Sequence, residues 1–334
     1  MKQSLKSSSS LIWPLAGLGL LLLFNAVFNP SFFSISIVDG NLYGNLIDIF
    51  RNGSITMILA LGMCLVIATG GVDLSVGTIM AITGAVVAII YQSDPDTSLF
   101  VALLVALGVA GVAGALNGAL VAYARIQPII ATLILMVTGR GIASFITGEK
   151  QIAVENDAFG YLGTGHLIAL PFSMVLVFLL YGLMVLGVRK TPVALFIEAT
   201  GDNEDAAHFS GVNSKMIKLL VYLVCGLFAG LAGLVETSNI ANSDPSQLGI
   251  YRELDAIFAV VVGGTALSGG RFSLIGAIIG ALLLQTLTTT LYSYGVDSAL
   301  SPIPKAVLIV TVCLLRSDRF RKQFTSLYAR KNVA

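Results

Sequence analysis

Residues with catalytic chemistry are few and scattered in this chain of 334 residues. The two histidines, His166 and His208, fall in separate polar stretches, on opposite sides of a membrane in the topology developed below, and so cannot share a metal. Cys64, Cys225 and Cys313 each lie inside apolar runs, where a thiol packs as a small hydrophobe rather than as a ligand or disulfide partner. Asp94 and Asp96 flank Pro95, a turn pattern rather than a magnesium site. No G-x-x-x-x-G-K-[ST] phosphate loop, H-E-x-x-H or G-x-S-x-G elbow occurs. No catalytic residue, metal or cofactor is assigned to the chain, and an enzyme is not expected.

The chemistry that remains belongs to polar groups set in apolar sequence, which line a path or join helices. They are Asp73, Ser75, Asn117, Thr132, Arg140 and Gln285, with Thr286 beside the last. Asp73 has three readings: a cap on the helix that follows, a solute ligand, or part of an ion relay. A relay asks for further acids at depth, and none is secure inside a span. Asn117 lies among Gly111, Gly114 and Gly118, a small-residue face that suits interhelical packing. Arg140, in Gly139-Arg140-Gly141, either snorkels outward or meets polar partners in a cavity. Hydroxyl, amide and guanidinium donors of this kind suit a sugar, and equally suit water.

Glycines mark where the backbone opens. Gly70-Gly71-Val72-Asp73-Leu74-Ser75-Val76-Gly77 interrupts an apolar run, and Gly263-Gly264-Thr265-Ala266-Leu267-Ser268-Gly269-Gly270 repeats it further on. Both are expected to break helices at membrane depth, in two related halves about an axis along the membrane normal. Asp73 corresponds to Ala266 and Thr78 to Arg271 in the copies, so Asp73 and Arg271 are expected to approach one another.

The elements that must position these groups follow from composition. Hydrophobic residues make up 56% and charged residues 11% of the chain, with mean hydropathy +0.90, more apolar than a water-exposed surface tolerates. Runs long enough to span a bilayer are expected at Leu11–Phe28, Ile55–Thr69, Val76–Tyr91, Leu99–Tyr123, Ile129–Ile146, Leu167–Val188, Ile217–Val235, Leu254–Leu267, Phe272–Leu291 and Pro302–Leu315. The expected fold is an all-α polytopic membrane protein: about ten transmembrane helices with two related Gly-broken pairs, one domain over 1–334. The first run follows Lys2 and Lys6 like a signal peptide, but Asn29-Pro30 closes it in place of a small-residue cleavage site, so it is read as retained. A net charge of +1 and the absence of a charge run point away from nucleic acid.

With the N-terminus inside, all but five of the 19 lysines and arginines fall on the cytoplasmic side, and both termini are expected there. The exceptions are Arg51, Arg140, Lys150, Arg252 and Lys305. One sizeable cytoplasmic loop, 189–216, carries Glu198, Gly201, Asn203, Glu204, Ala207 and Gly211. Asp202 or Asn203 is expected to cap a short helix that runs to Ser210 and is stopped by Gly211. Phe196, Ile197 and Phe209 are expected to be exposed on this loop, which argues for a protein partner.

The stretch Met63 to Gly77 resembles the signature of the permeases of bacterial sugar ATP-binding-cassette importers, the family of the ribose, xylose, arabinose and galactofuranose systems. The resemblance continues in family order through Ala124-Arg125-Ile126-Gln127-Pro128, Gly139-Arg140-Gly141, the Gly201–Gly211 loop and Glu253-Leu254-Asp255-Ala256-Ile257. Phe196-Ile197-Glu198-Ala199 is most similar to the galactofuranose branch. The resemblance implies a multi-pass permease of the bacterial inner membrane that translocates a monosaccharide, with galactofuranose the first expectation. The implied partners are a cytoplasmic ATPase subunit that binds the ATP, a second permease subunit, identical or not, and a periplasmic sugar-binding protein. The loop from Glu198 to Gly211 becomes the ATPase coupling element, so bulky or charge-reversing changes at Glu204, Ala207 and Gly211 are expected to stop uptake and spare insertion. The alternative is an ion-coupled secondary sugar transporter, which needs its own ion site.

Overall fold

Glycine, serine, asparagine and proline decide where each apolar run starts and stops in the computed structural model of the chain, which describes residues 2–316. Among the described residues thirteen α-helices follow in order: α1 (Lys2–Phe28), α2 (Asn45–Ala68), α3 (Val76–Ser93), α4 (Leu99–Ala122), α5 (Pro128–Thr147), α6 (Asp157–Thr164) and α7 (Phe172–Lys190), then α8 (Val193–Asp202), α9 (Glu204–Phe209), α10 (Ser214–Ile240), α11 (Arg252–Val262), α12 (Leu274–Ser293) and α13 (Pro302–Arg316). Asn156, Asn213 and Ser273 accept backbone N–H bonds at the starts of α6, α10 and α12. Pro128 begins α5, and Gly148 ends it in the left-handed conformation. The expected basic C-terminal segment beyond Arg316, and with it the side of the C-terminus, lies outside the described residues.

Among the described residues seven helices (α1–α5, α10 and α12) are long and apolar enough to cross a membrane. An eighth crossing is made if α7 and α8, joined at an 80° bend, count as one span. The ten spans expected from sequence are thus approximate. α11 has 11 residues and α13 has 15; at 1.5 Å per residue they reach only about 16 and 22 Å, short of a hydrocarbon core about 30 Å thick. α2 starts ten residues earlier than expected, because its polar first turns line a cavity rather than a loop. Residues 166–171 form a β-hairpin, so α7 begins at Phe172 rather than at Leu167.

α2 is the central helix, packed on α7, α10, α11 and α12, and it is buried without interruption from Gly53 to Ala68. Helices in lipid gain little from apolar burial against one another, so close approach of small residues holds them. A Cβ at Gly226 of α10 would lie 2.7 Å from the Ala110 carbonyl oxygen of α4 and collide with Gly114. On α12 a Cβ at Gly280 would collide with the Ala259 carbonyl of α11. α1 is tied to α12 by Asn25, whose Nδ2 donates to Thr290 Oγ1 at 2.8 Å, a bond worth about 0.6 kcal/mol in such a setting. Outward faces carry exposed Phe100, Val137, Phe145, Leu183 and Val307, an apolar surface for membrane lipid.

The two ends of the bundle differ. One carries α8 and α9. The other carries three two-stranded ribbons, β1 (Ser36–Val38) with β2 (Asn41–Tyr43), β3 (Ile152–Ala153) with β6 (Asn242–Ser243), and β4 (His166–Leu167) with β5 (Leu170–Pro171), together with α6. α10 connects the two ends through 27 residues, about 40 Å.

Candidate functional site

At the hairpin end, the first turns of α2, the last of α10, α11, the second half of α12 and the start of α13 enclose a cavity of about 1220 Å³. That exceeds the roughly 300–1,000 Å³ of a tight small-molecule pocket, so it is a vestibule that holds a solute with its water. Its wall mixes apolar side chains with charged and polar groups, which lipid does not tolerate and water or solute does. Arg252 on α11 donates to Glu236 Oε1 on α10 through Nη2, and through Nε at 3.0 Å. Lys305 Nζ on α13 donates to Asp255 Oδ2 on α11 at 3.1 Å. Arg51 Nε on α2 is shared between Asn239 Oδ1 at 3.2 Å and the Gly163 carbonyl of α6 at 3.3 Å. With Glu236, Arg252, Asp255 and Lys305 engaged in this way, the cavity is faced by the carboxylate of Asp48 and by the amides and hydroxyls of Asn45, Asn52, Gln247, Gln285, Thr288 and Ser301. Gln285 Nε2 donates to Thr289 Oγ1 at 3.4 Å.

Ile55 and Phe258 close the vestibule below. From Ile55 to Ala68 the central helix is wholly buried, a seal of about 20 Å at 1.5 Å per residue. The cavity therefore opens toward one end of the bundle and is closed toward the other.

Of the six polar residues singled out from sequence, Gln285 lines the vestibule. Asp73, Ser75, Asn117 and Thr132 are fully buried around the first helix break. Asp73 Oδ1 accepts from the Ser75 N–H at 2.9 Å and from Ser75 Oγ at 2.6 Å, and Asn117 Nδ2 donates to Ser75 Oγ at 2.8 Å. Thr132 Oγ1 on α5 accepts the Leu74 N–H at 3.1 Å. This chain stitches the break to α4 and α5. Asp73 folds back onto Ser75 in an Asx turn and does not cap the second or third residue of α3. The expected approach of Asp73 and Arg271 is absent: Arg271 is exposed, Asp73 is buried, and no ion pair joins them. Arg140 neither snorkels nor reaches a carboxylate; its Nη1 donates to the Pro245 and Leu248 carbonyls at 2.8 and 2.7 Å and fixes the turn between α10 and α11.

Both glycine pairs end helices where expected, α2 at Ala68 and α11 at Val262. Gly70 and Gly264 take positive φ, +79° and +111°, one from each pair but not at matching positions. The second break is longer, and Ser273 rather than Ser268 caps the helix that follows. Gly270 N–H donates to the Ala68 carbonyl at 2.9 Å, so the breaks touch. Gly201 of α8 meets both: a Cβ there would overlap the Ala68 carbonyl and lie 2.6 Å from Gly270 N.

At this end α9 forms as its residues require. Asn203 Oδ1 accepts the Ala206 N–H at 2.9 Å, and Gly211 (φ +87°) ends the turn. α8, by contrast, was not foreseen as a helix. Glu198 lies on it, half-buried, and Ile197 is buried rather than exposed as expected, with Phe196 only partly open. Phe209 is 89% exposed. Ala207 is buried within the fold, and Glu204 pairs with Lys218 of α10 at 2.5 Å, so both hold α9 in place. A cleft of about 640 Å³ beneath α9 is lined by Arg125, Gln127, Asp205, His208, Lys215 and Lys218.

Glu236, Arg252, Asp255, Lys305 and Arg51 carry the vestibule wall and were not singled out from sequence. Glu236 stands one residue beyond the expected end of its span, and its partner lies 16 positions further on. The usable signal was five basic residues that broke the inside rule, three of which, Arg51, Arg252 and Lys305, line this cavity.

An apolar bundle that encloses a one-sided cavity with polar groups in its wall and carries two short helices at its other end is built as a membrane transport protein. Residues 45–315 match the family described as the permease component of branched-chain amino acid transport systems, and the chain belongs to that family of permeases, which are transport components rather than catalysts. It is 42% identical over 313 residues to the galactofuranose transporter permease protein of Escherichia coli strain K12, covering 92% of this chain and 91% of that one. It is 40% identical over 298 residues to the ribose import permease protein of the same strain, 87% and 88% covered. With the fructose import permease protein of Bifidobacterium longum strain NCC 2705 it shares 35% over 318 residues, 93% and 89% covered. No solved structure gives a significant match.

Proposed function

We propose that the chain is the sugar-conducting permease subunit of an ATP-driven importer in the bacterial inner membrane, with galactofuranose as cargo. The vestibule carries this reading: Glu236, Arg252, Asp255 and Lys305 are paired with one another in the wall, and amides and hydroxyls, with Asp48 and Arg51 beside them, remain for a hydroxyl-rich solute. The relative that names galactofuranose is 42% identical across nearly the full length of both chains, which favours that sugar over ribose and fructose. The hairpin end faces the periplasm and receives sugar from a binding protein. The α8–α9 end and the N-terminus face the cytoplasm, where an ATPase subunit docks on exposed Phe209 and its surroundings. A second permease subunit, another copy or a homologue, completes the path.

The test is uptake of labelled galactofuranose, ribose and fructose into proteoliposomes that hold this chain with its neighbouring ATPase and binding protein. Accumulation of galactofuranose that needs ATP is the expected result. Uptake driven by a proton or sodium gradient without the ATPase would replace the reading with a secondary transporter.

A further inference from the structure

α11 and the turn that follows it run from the vestibule wall to the helix breaks beside α8. Its first turn carries Arg252 and Asp255, which reach opposite neighbours, Glu236 on α10 and Lys305 on α13. Both pairs are largely withdrawn from solvent. Its far end runs through Gly263 and Gly264 into the turn that holds Gly269 and Gly270. There Gly270 N–H binds the Ala68 carbonyl, and a Cβ on Gly269 would lie 2.7 Å from the Gly201 carbonyl oxygen of α8.

The helix is bounded by a turn on each side. Gly249 (φ +74°) precedes it, with Tyr251 left-handed at its N-cap (φ +61°), and Gly264, Gly269 and Gly270, all at positive φ, follow it, so glycine turns bound it on both sides. It lies on α12 through Ala259 against Gly280 and Gly263 against Gly276, where a Cβ on either α12 glycine would collide with the facing carbonyl. Side chains also meet along this seam, Val262 with Leu283, and Ala259 and Val260 within the core that holds Ala277, Ile278 and Leu284, and a close-packed seam transmits displacement.

We propose that α11 is a lever that carries movement of α8 to the vestibule wall, and that Glu236–Arg252 and Asp255–Lys305 are positioning pairs that latch its upper end while the vestibule is open. The lever half of this rests on the reading of α8–α9 as the coupling element; the latch half does not. A pair that only stabilises the fold would lower the melting temperature when broken and leave the helix where it is. A latch changes how often the helix leaves its place, and close charge pairs with coupling of about 1.5 kcal/mol or more shift such an equilibrium about tenfold.

The experiment uses the full chain in liposomes, with Cys64, Cys225 and Cys313 replaced by alanine and Phe258→Cys as reporter on the cavity floor. The rate of reaction with a polar maleimide is read alongside the melting temperature. Glu236→Gln and Asp255→Asn are each expected to change that rate about tenfold, and the exchange Glu236→Arg with Arg252→Glu to bring it back within about twofold. An unchanged rate in folded single variants, or no recovery in the exchange, overturns the latch. In the complex with the ATPase, ATP without hydrolysis is expected to shift the rate in the latched chain, and a Glu236→Cys/Arg252→Cys disulfide to abolish that shift. An ATPase that binds and leaves the rate unmoved overturns the lever. An ATPase that fails to bind the chain removes the coupling reading and the lever with it, while the variants in the chain alone still decide the latch.

Discussion

Two groups of polar side chains at membrane depth do different work. Asp73, Ser75, Asn117 and Thr132 bond one another and the backbone that the Gly70–Gly71 break sets free, with only Asp73 Oδ2 and Asn117 Oδ1 of this set left buried without a partner, so their loss bears on stability. Ser75→Ala is expected to lower stability by about 1–3 kcal/mol, since it leaves buried partners of the hydroxyl unmet. A fall in the thermal midpoint in detergent, with sugar affinity kept in the folded fraction, is the expected reading; lost affinity at an unchanged midpoint would put Ser75 on the path instead. Gln285 belongs to the second group. Gln285→Ala removes one hydrogen-bonding group from the vestibule wall and is expected to raise the KM for uptake about two- to tenfold, the worth of one bond of about 0.5–1.5 kcal/mol. An unchanged KM would take Gln285 off the solute's route.

At the scale of elements, α9 separates surface from support. Its Phe209 side chain projects into solvent while Ala207 is packed within the fold. Phe209→Asp is therefore expected to weaken ATPase docking at least tenfold, as loss of a central aromatic anchor does, and to leave the melting temperature unchanged. Ala207→Trp is expected to lower that temperature and the amount of folded chain, because overpacking a tight site costs about 1–3 kcal/mol. Pull-down of the ATPase and a melting curve on the same samples check both. A bulky change at Ala207 is expected from sequence to stop uptake and spare insertion; its burial adds a loss of stability to that expectation. What sequence showed of the elements depended on contrast. α4 was legible almost to the residue, Leu99–Tyr123 against Leu99–Ala122, because an unbroken apolar run begins at a serine cap and ends at a basic loop. The first ten residues of α2 were missed, since Asn45, Asp48, Arg51 and Asn52 read as loop when nothing shows that a cavity will face them. α8 was missed because Thr200-Gly201-Asp202 resembles a turn, whereas Gly201 is a helical residue that close backbone contact requires to be glycine.

Across the whole molecule, the ion pairs of the vestibule join α10, α11 and α13, segments that meet only through folding, and so periodicity and span counting did not reveal them. The glycine pairs were visible as breaks in apolar sequence; that they touch each other and α8 was not. Together these contacts give a bundle with an open mouth carrying polar groups at one end, a seal of buried helix below it, and the short helices α8 and α9 at the other end. The central claim is that the polar vestibule is the mouth of the solute's path. Gln285→Cys, in a chain without other cysteines, tests it in proteoliposomes with the ATPase and binding protein, by exposure to a membrane-impermeant thiol reagent from the binding-protein side. Loss of ATP-driven sugar uptake on modification, slowed by sugar with its binding protein, is the expected result. Complete modification of the introduced thiol with uptake undiminished would contradict it.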